Sequence, residues 1–300
     1  MSTLRQLLAW GAETLRQAGV PDAAVDAWKL MEAAFDIEKS CYFLQRDDKI
    51  KDRERERRYR GFIARRSERV PLQQITGSAW FMGLEFAVSD QVLTPRFDTE
   101  CLVEEVERLL APGMRILDLC TGSGCILLSL LSRNPQVRGV GTDLSAAALA
   151  VACGNRDRLG IPAQLIRGDL FEHVTGSFDV IVSNPPYIPS GEIGSLMPEV
   201  REHEPVMALD GGADGLDFYR KIINQAAGYL KPGGWLAFEI GCDQGEDLIR
   251  LLSEAGYTGV RTGKDLAGLT RTAFGQLPRG TEGQTALTKR TVRDRRNWNV

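Results

Sequence analysis

Ile116-Leu117-Asp118-Leu119-Cys120-Thr121-Gly122-Ser123-Gly124-Cys125 reads as a buried strand breaking into a glycine loop, with Ile126 to Leu131 continuing as an apolar helix. Glycines at 122 and 124 let the backbone approach a ligand closely and present N–H groups to it. Strand, glycine loop and helix in that order also serve NAD enzymes or plain packing, so residues further along the chain decide between them. Asp143 ends the next strand about 20 residues on, where a carboxylate can accept both hydroxyls of a ribose. Asp169-Leu170-Phe171 comes after the third strand and offers an acceptor for an exocyclic amine and an aromatic face for a purine. Each aspartate alone is equally well a helix cap or a solvated loop residue. Their order and spacing together favour an adenosine-containing cofactor, and NAD is the weaker choice because Gly122-Ser123-Gly124 runs on into Cys125, Ile126 and Leu127 without the third glycine.

Outward from this stretch, short β-rich runs alternate with helical windows. The runs are 115–119, 137–142, 163–167, 178–183 and 235–240, with 256–261 and 271–276 as closing strands. Such alternation predicts βαβ units and a mostly parallel sheet covered on both faces, an α/β fold. Upstream, Leu4, Leu7, Leu8 and Leu15 form one helical stripe, and Ala24, Trp28, Met31 and Phe35 form another, with Pro21 in a first turn. Asp52 to Arg66 is densely charged around Tyr59, Phe62 and Ile63, and reads as a helix with a solvated face. Pro71 is expected to end this block, and Gln73 to Leu93 suits a β-hairpin linker. The divisions are therefore 1–71 helical, 72–95 hairpin, 96–278 α/β, and 279–300 a basic flexible tail.

Composition narrows the class. The 300 residues carry a net charge of −3, distributed as 15 basic against 12 acidic residues over 1–70, 16 against 26 over 71–278, and 6 against 2 over 279–300. An acidic middle argues against a surface that grips nucleic acid throughout. No run reaches the roughly 18 to 20 apolar residues of a membrane span, and no secretory signal opens the chain, so a cytoplasmic location is expected. Six cysteines without a C-x-x-C pair, and only His173 and His203 to join them, predict free thiols and no metal site.

The fourth strand runs straight into Asn184-Pro185-Pro186-Tyr187. Two prolines fix the backbone and remove N–H donors, leaving carbonyls facing outward. The Asn184 amide oxygen and the Pro185 carbonyl can accept both hydrogens of a planar –NH₂ group while Tyr187 packs on its flat face. Alkylating such a nitrogen requires this, because its lone pair is delocalised and must be aligned as it attacks. A rigid turn ending a strand would explain the prolines but not their coincidence with the glycine loop at one sheet edge. No histidine is assigned a catalytic role.

At these residues the chain resembles the class I S-adenosylmethionine-dependent methyltransferases that act on planar nitrogens. Leu93-Thr94-Pro95-Arg96-Phe97-Asp98-Thr99-Glu100 further resembles the P-R-P-D-T-E signature of the release-factor glutamine N5-methyltransferases. Glu204-Pro205, Ala208 to Gly212, Asp214 to Tyr219, Lys231 to Gly234, Glu239-Ile240-Gly241 and Lys264 to Gly268 extend the likeness over about residues 1 to 277. The resemblance implies a seven-stranded Rossmann-like sheet with a small N-terminal helical domain that helps dock the substrate. It implies methyl transfer from S-adenosyl-L-methionine to the glutamine of the Gly-Gly-Gln motif in class 1 peptide chain release factors. By the same likeness Cys120, Thr121, Gly122, Ser123, Gly124, Asp143, Phe171 and Asn184 contact the cofactor, beside Asp169, and Asn184, Pro185, Pro186 and Tyr187 hold the glutamine. The chain departs from the pattern at Phe97 for proline, Cys120 for glycine and Cys125 for alanine, which implies altered affinity rather than lost chemistry.

Three alternatives share parts of this reading. Glutamine methylation of a ribosomal protein would use the same tetrapeptide, but Arg96 and Asp98 to Glu100 favour the release-factor branch. Adenine-N6 methylation calls for a basic cleft that the acidic middle lacks. A non-catalytic binding module is opposed by the intact glycine loop and Asn184 to Tyr187.

Overall fold

The computed structural model describes residues 2–280; most of the basic tail read from the sequence lies outside them. Five helices come first: α1 (Leu4–Gln17), α2 (Ala23–Phe35), α3 (Lys39–Gln45), α4 (Arg53–Ser67) and α5 (Leu72–Thr76). The hairpin β1 (Ser78–Phe81) and β2 (Leu84–Ala87) comes next, then α6 (Phe97–Glu107), β3 (Arg115–Leu119), α7 (Cys125–Arg133), β4 (Arg138–Asp143), α8 (Ala146–Leu159), β5 (Ala163–Arg167) and β6 (Phe178–Ser183). The chain closes with α9 (Pro198–Arg201), α10 (Asp217–Ala226), β7 (Leu230–Glu239), α11 (Gly245–Glu254), β8 (Thr258–Lys264) and β9 (Thr270–Gln276). Two compact units result: residues 1–78 with 196–203, and residues 79–195 with 204 onward.

The first unit is built around Tyr59, which is fully buried and donates its phenol to the Ala27 carbonyl at 3.2 Å. A Cβ on Gly11 would lie 2.1 Å from that phenol oxygen, so α1 accepts a glycine in its interior to let α4 close. The densely charged helix is thus not simply solvated: Glu56, Tyr59, Ile63 and Arg66 point inward. Asp52 caps it, accepting from the Glu54 and Arg55 N–H groups at 3.0 Å each. On α2 the buried apolar stripe is Ala23, Ala27, Leu30, Met31, Ala34 and Phe35, so Met31 and Phe35 face inward as expected, whereas Ala24 is exposed and Trp28 only partly covered. Pro21 lies just before the cap Asp22, outside the helix. The stripe read from the sequence is rotated relative to the buried one because an apolar count sets alanine equal to the larger side chains.

One side chain ties this unit to the distant segment 196–203. Arg66, 6% exposed, donates to Asp26 at 2.7 Å and to Glu199 at 3.0 Å. Arg69 adds two bonds to Glu199, at 2.7 and 2.6 Å. Burial alone would raise the Glu199 carboxyl, but these two guanidinium groups bring it below its ordinary range. Pro71 does not end the helical block. It starts α5, its fixed φ of −54° suiting the residue ahead of a helical turn, and the hairpin begins only at Ser78.

The second unit holds a seven-stranded sheet in the order β5-β4-β3-β6-β7-β9-β8. The first five are parallel and β9 and β8 are antiparallel additions. Both faces are covered, as expected for alternating βαβ units. Leu117, Leu119, Ile181 and Phe238 pack on one side with Tyr219 and Ile222 of α10 and Leu248 and Leu252 of α11. Ile116, Val180 and Val182 pack on the other with Leu102 and Val106 of α6 and Leu127 and Leu130 of α7. The fifth strand begins at Leu230, five residues before the sequence reading places it, because a bulge at Lys231 to Gly234, with Gly233 at φ +81°, lets Leu230 pair with Phe178. β8 starts at Thr258 rather than 256, since Gly256 at φ +85° is still turning out of α11.

Arg66→Met should destabilise the first unit by about 3 to 5 kcal/mol, because it strands the buried Asp26 carboxylate and leaves Glu199 with Arg69 as its remaining cation. Urea unfolding followed by circular dichroism measures this, and a loss under about 1 kcal/mol would show that the cluster does not hold 196–203 in place.

Candidate active site

The strand order reverses between β3 and β6: from β3 the chain proceeds outward to β4 and β5, then returns to β6 on the other side. Ligands of open α/β sheets bind beyond the strand C-termini at such a point. Leu119 is paired with Ser183, so Cys120 and Asn184 leave the sheet at the same level, and the Ser183 hydroxyl donates to the Leu119 carbonyl at 2.7 Å. The glycine loop and the Asn184 to Tyr187 turn therefore emerge side by side.

The loop is held in a conformation few residues adopt. Cys120 sits at φ +58°, Gly122 at +56° and Gly124 at +80°. The first of these stands where the family pattern has glycine, and a left-handed cysteine costs on the order of 1 kcal/mol or more. Bonds on several sides hold it. Thr121 N–H donates to the Thr142 carbonyl at 2.9 Å, and its hydroxyl to buried Asp118 at 2.6 Å. Gly122 N–H donates to Asp143 Oδ2 at 2.9 Å, whose Oδ1 accepts from Ser145 N–H at 2.9 Å. Burial pushes the Asp143 carboxyl up, and the N–H groups of Ser145, Gly122 and Leu144 oppose that. Asp118 is fully buried and pushed up to about 7, chiefly by desolvation. The loop's far side is secured by Asn155, fully buried in mid-helix, which donates to the Ser123 carbonyl at 3.0 Å and pairs with both backbone groups of Ala87.

Asp169 is an exposed carboxylate at the end of β5. Phe171 is not the aromatic platform expected. Its ring is 3% exposed and stacks on Tyr229 at 4.6 Å and 20°, inside the core. The larger apolar gain from full burial wins over display at the edge.

Asn184 is half-buried, and its side-chain amide makes no hydrogen bond among the described residues. Pro185 and Pro186 are buried behind it. Tyr187 is fixed from three directions. Its carbonyl accepts from Gln244 Nε2 at 2.9 Å, its phenol reaches Glu239 Oε1 at 3.4 Å, and a Cβ on Gly215 would stand 2.3 Å from its carbonyl oxygen. Only glycine at 215 permits that approach.

Leu93 to Glu100, singled out by sequence, acts here as a brace. Thr94 N–H and the Arg96 guanidinium both donate to buried Glu204, at 3.2 and 2.7 Å. Asp98 faces Arg271 at 3.3 Å. Glu100 accepts from Met82 N–H at 2.6 Å, in a two-residue hairpin turn where Met82 and Gly83 both have positive φ. Phe97 is 79% exposed at the start of α6. Sequence reasoning misses Asn155 and Gln244, and picks out Glu239 within the Glu239-Ile240-Gly241 likeness without giving it a role. Asn155 does leave a signal, a poor helix former in mid-helix, and Glu239 another, a carboxylate ending an apolar strand. Among the described residues no group of three or more His, Cys, Asp or Glu could hold a metal ion, and no helix is long and apolar enough to cross a membrane.

The fold and its edge define a Rossmann-like methyltransferase. A "Methyltransferase small domain" family model matches residues 96–197, and a "PrmC N-terminal domain" model matches residues 6–77. Among solved structures, a methyltransferase from Pyrococcus furiosus superposes with a TM-score of 0.50 at 20% identity, covering 65% of this chain and 90% of that one. The catalytic domain of hMettl16 gives 0.52 at 16%, covering 67% and 77%, and both likenesses bear on the fold alone. A release factor glutamine methyltransferase from Geobacter sulfurreducens is 41% identical over 276 residues, 92% of this chain and 97% of that one. One from Cereibacter sphaeroides is 42% identical over 266 residues, 88% and 95%. The chain belongs to the release factor glutamine methyltransferase family.

Arg96→Ala should cost about 1 to 3 kcal/mol by leaving the buried Glu204 charge without its cation, and adding Glu204→Gln should recover part of it. Chemical denaturation of the three proteins checks this; an additive double variant would contradict the pairing.

Proposed function

We propose that the chain transfers a methyl group from S-adenosyl-L-methionine to the side-chain amide nitrogen of the glutamine in the Gly-Gly-Gln motif of class 1 peptide chain release factors. The family supports this reading, and the curated relatives carry the name release factor glutamine methyltransferase. The observation that carries it is Asn184: a half-buried amide with unspent hydrogen bonds, leaving the sheet beside the glycine loop.

The residues present fit the cofactor. A Cβ on Gly122 would meet nothing within 4 Å, so space lies open before that part of the loop. Asp143 spends one hydrogen bond on each oxygen and keeps further lone pairs for ribose hydroxyls. Asp169 is free to accept from an exocyclic amine. Cys120 to Gly124 would lie along the methionine part, with the buried Ser123 hydroxyl lacking an oxygen or nitrogen partner among the described residues. When bound, the cofactor supplies an electrophilic methyl on a sulfonium.

The remaining work falls to the chain. Asn184 Oδ1 and the Pro185 carbonyl accept the two amide hydrogens and hold the nitrogen with its lone pair toward the cofactor side. Tyr187, with Pro186 behind it, covers the flat face of the amide and limits water. The two acceptors also stabilise the positive charge that builds on nitrogen as the new bond forms, and no base is needed until then. We infer that the helical first unit helps dock the release factor.

The test is incubation with labelled cofactor and a release factor, its Gly-Gly-Ala variant or a DNA duplex, followed by peptide mass spectrometry. Methyl on the glutamine alone supports the reading, and label on DNA or nowhere defeats it. The two halves of the site should separate by mutation. Asn184→Ala should lower kcat by roughly a hundredfold with cofactor still bound, whereas Asp143→Ala should weaken cofactor affinity by about 1 to 3 kcal/mol in calorimetry.

A further inference from the structure

Glu239 ends β7 at the position laterally next to Asn184, since Ser183 pairs with Phe238 one residue earlier on both strands. Its side chain is 3% exposed. Oε1 accepts from the Tyr187 phenol at 3.4 Å, and Oε2 is buried with no partner at hydrogen-bonding geometry among the described residues, the Thr99 hydroxyl being in its neighbourhood. Leaving a carboxylate oxygen unpaired in a dry interior is costly; a leucine at the end of an apolar strand would avoid the cost, and a glutamine would avoid the buried charge.

We propose that Glu239 is a positioning residue for the methyl transfer: its carboxylate holds the Tyr187 phenol, so that the ring stays fixed against the substrate amide. The inference rests on the function proposed above. Tyr187 already has its backbone fixed by Gln244 and Gly215, and what remains free is its χ rotation. A bond from the ring's far end to a carboxylate removes that freedom.

The groups facing Glu239 come from every neighbouring element: Tyr187 after β6, Tyr219 of α10, Arg271 of β9, Asp98 and Cys101 of α6, and Cys125 of α7. Burial pushes the Glu239 carboxyl up to about 7; the Thr99 and Tyr187 hydroxyls and Arg271 pull the other way, and Asp98 adds to the rise. The folded-state value thus lies above the ordinary 4.5, so the stability associated with the protonated form is complete below 4.5 and is lost as pH rises through about 7.

Rate and stability should therefore change with opposite signs, and that opposition is the test. Glu239→Gln keeps the shape and removes the charge. It should lower kcat about tenfold at pH 8 with the KM for cofactor unchanged, and flatten the rise of kcat between pH 6 and 8. The same variant should melt at a higher temperature than the native protein at pH 8, and the gain should shrink toward pH 5. On a Tyr187→Phe background the added loss in kcat should fall below about twofold, because the partner through which Glu239 acts is gone. A lower melting temperature at pH 8, an unchanged pH profile, or a full tenfold loss on the Tyr187→Phe background would each overturn the proposal. If the native protein methylates no release factor, the functional reading fails by itself. The melting of the single and double variants then still reports whether Glu239 and Tyr187 are coupled, and additive changes would remove the coupling.

Discussion

The reversal of strand order between β3 and β6 is the constraint on which the rest of this enzyme's architecture depends. Parallel neighbours cannot be joined by a tight turn, so consecutive ones are joined across a sheet face through helices, whereas the return from β5 to β6 is a loop. Loops on either side of the reversal therefore part in opposite directions and leave a crevice above the seam. The seam is sealed by one short bond, from the Ser183 hydroxyl to the Leu119 carbonyl, which sets the glycine loop and the Asn184 turn level with each other.

Around that crevice, polar groups are consumed by the protein's own needs with few exceptions. Asp143 steadies the glycine loop, Asn155 ties the loop to the hairpin, and Glu204 grips Thr94 and Arg96. Buried pairs of this kind add little net stability, but breaking one is expensive, so each fixes geometry more than it strengthens the fold. Against this background the unspent amide of Asn184 stands out. A rigid surround with one free acceptor and donor pair is how a site is organised before its ligand arrives.

Much of this is legible from the chain. Hydrophobic period places the seven strands of the large sheet within a few residues, because buried parallel strands are nearly unbroken apolar runs. Glycines and the paired prolines mark the two edge loops. What period cannot show is which way a side chain turns when both directions are open to it. Phe171 reads as a display surface and is a core residue, since stacking on Tyr229 buries far more of its ring. The charged helix α4 looks solvated because a count of charges hides that four of its positions, Glu56, Tyr59, Ile63 and Arg66, share one inward stripe. The signature around Arg96 to Glu100 is legible as important, whereas its role as a brace needs the distant partners Glu204, Arg271 and Met82.

The Glu199 clamp has a consequence for the order in which the molecule is made. Arg66 and Arg69 find their shared carboxylate about 130 residues downstream. At synthesis rates of roughly 5 to 20 residues per second, the first helices wait on the order of ten seconds before that partner exists. During this interval the Arg66 cation has only Asp26, and the unit is discontinuous in time as well as in sequence. The N-terminal helices are thus completed from behind, by a segment that lies beyond the fourth parallel strand of the sheet.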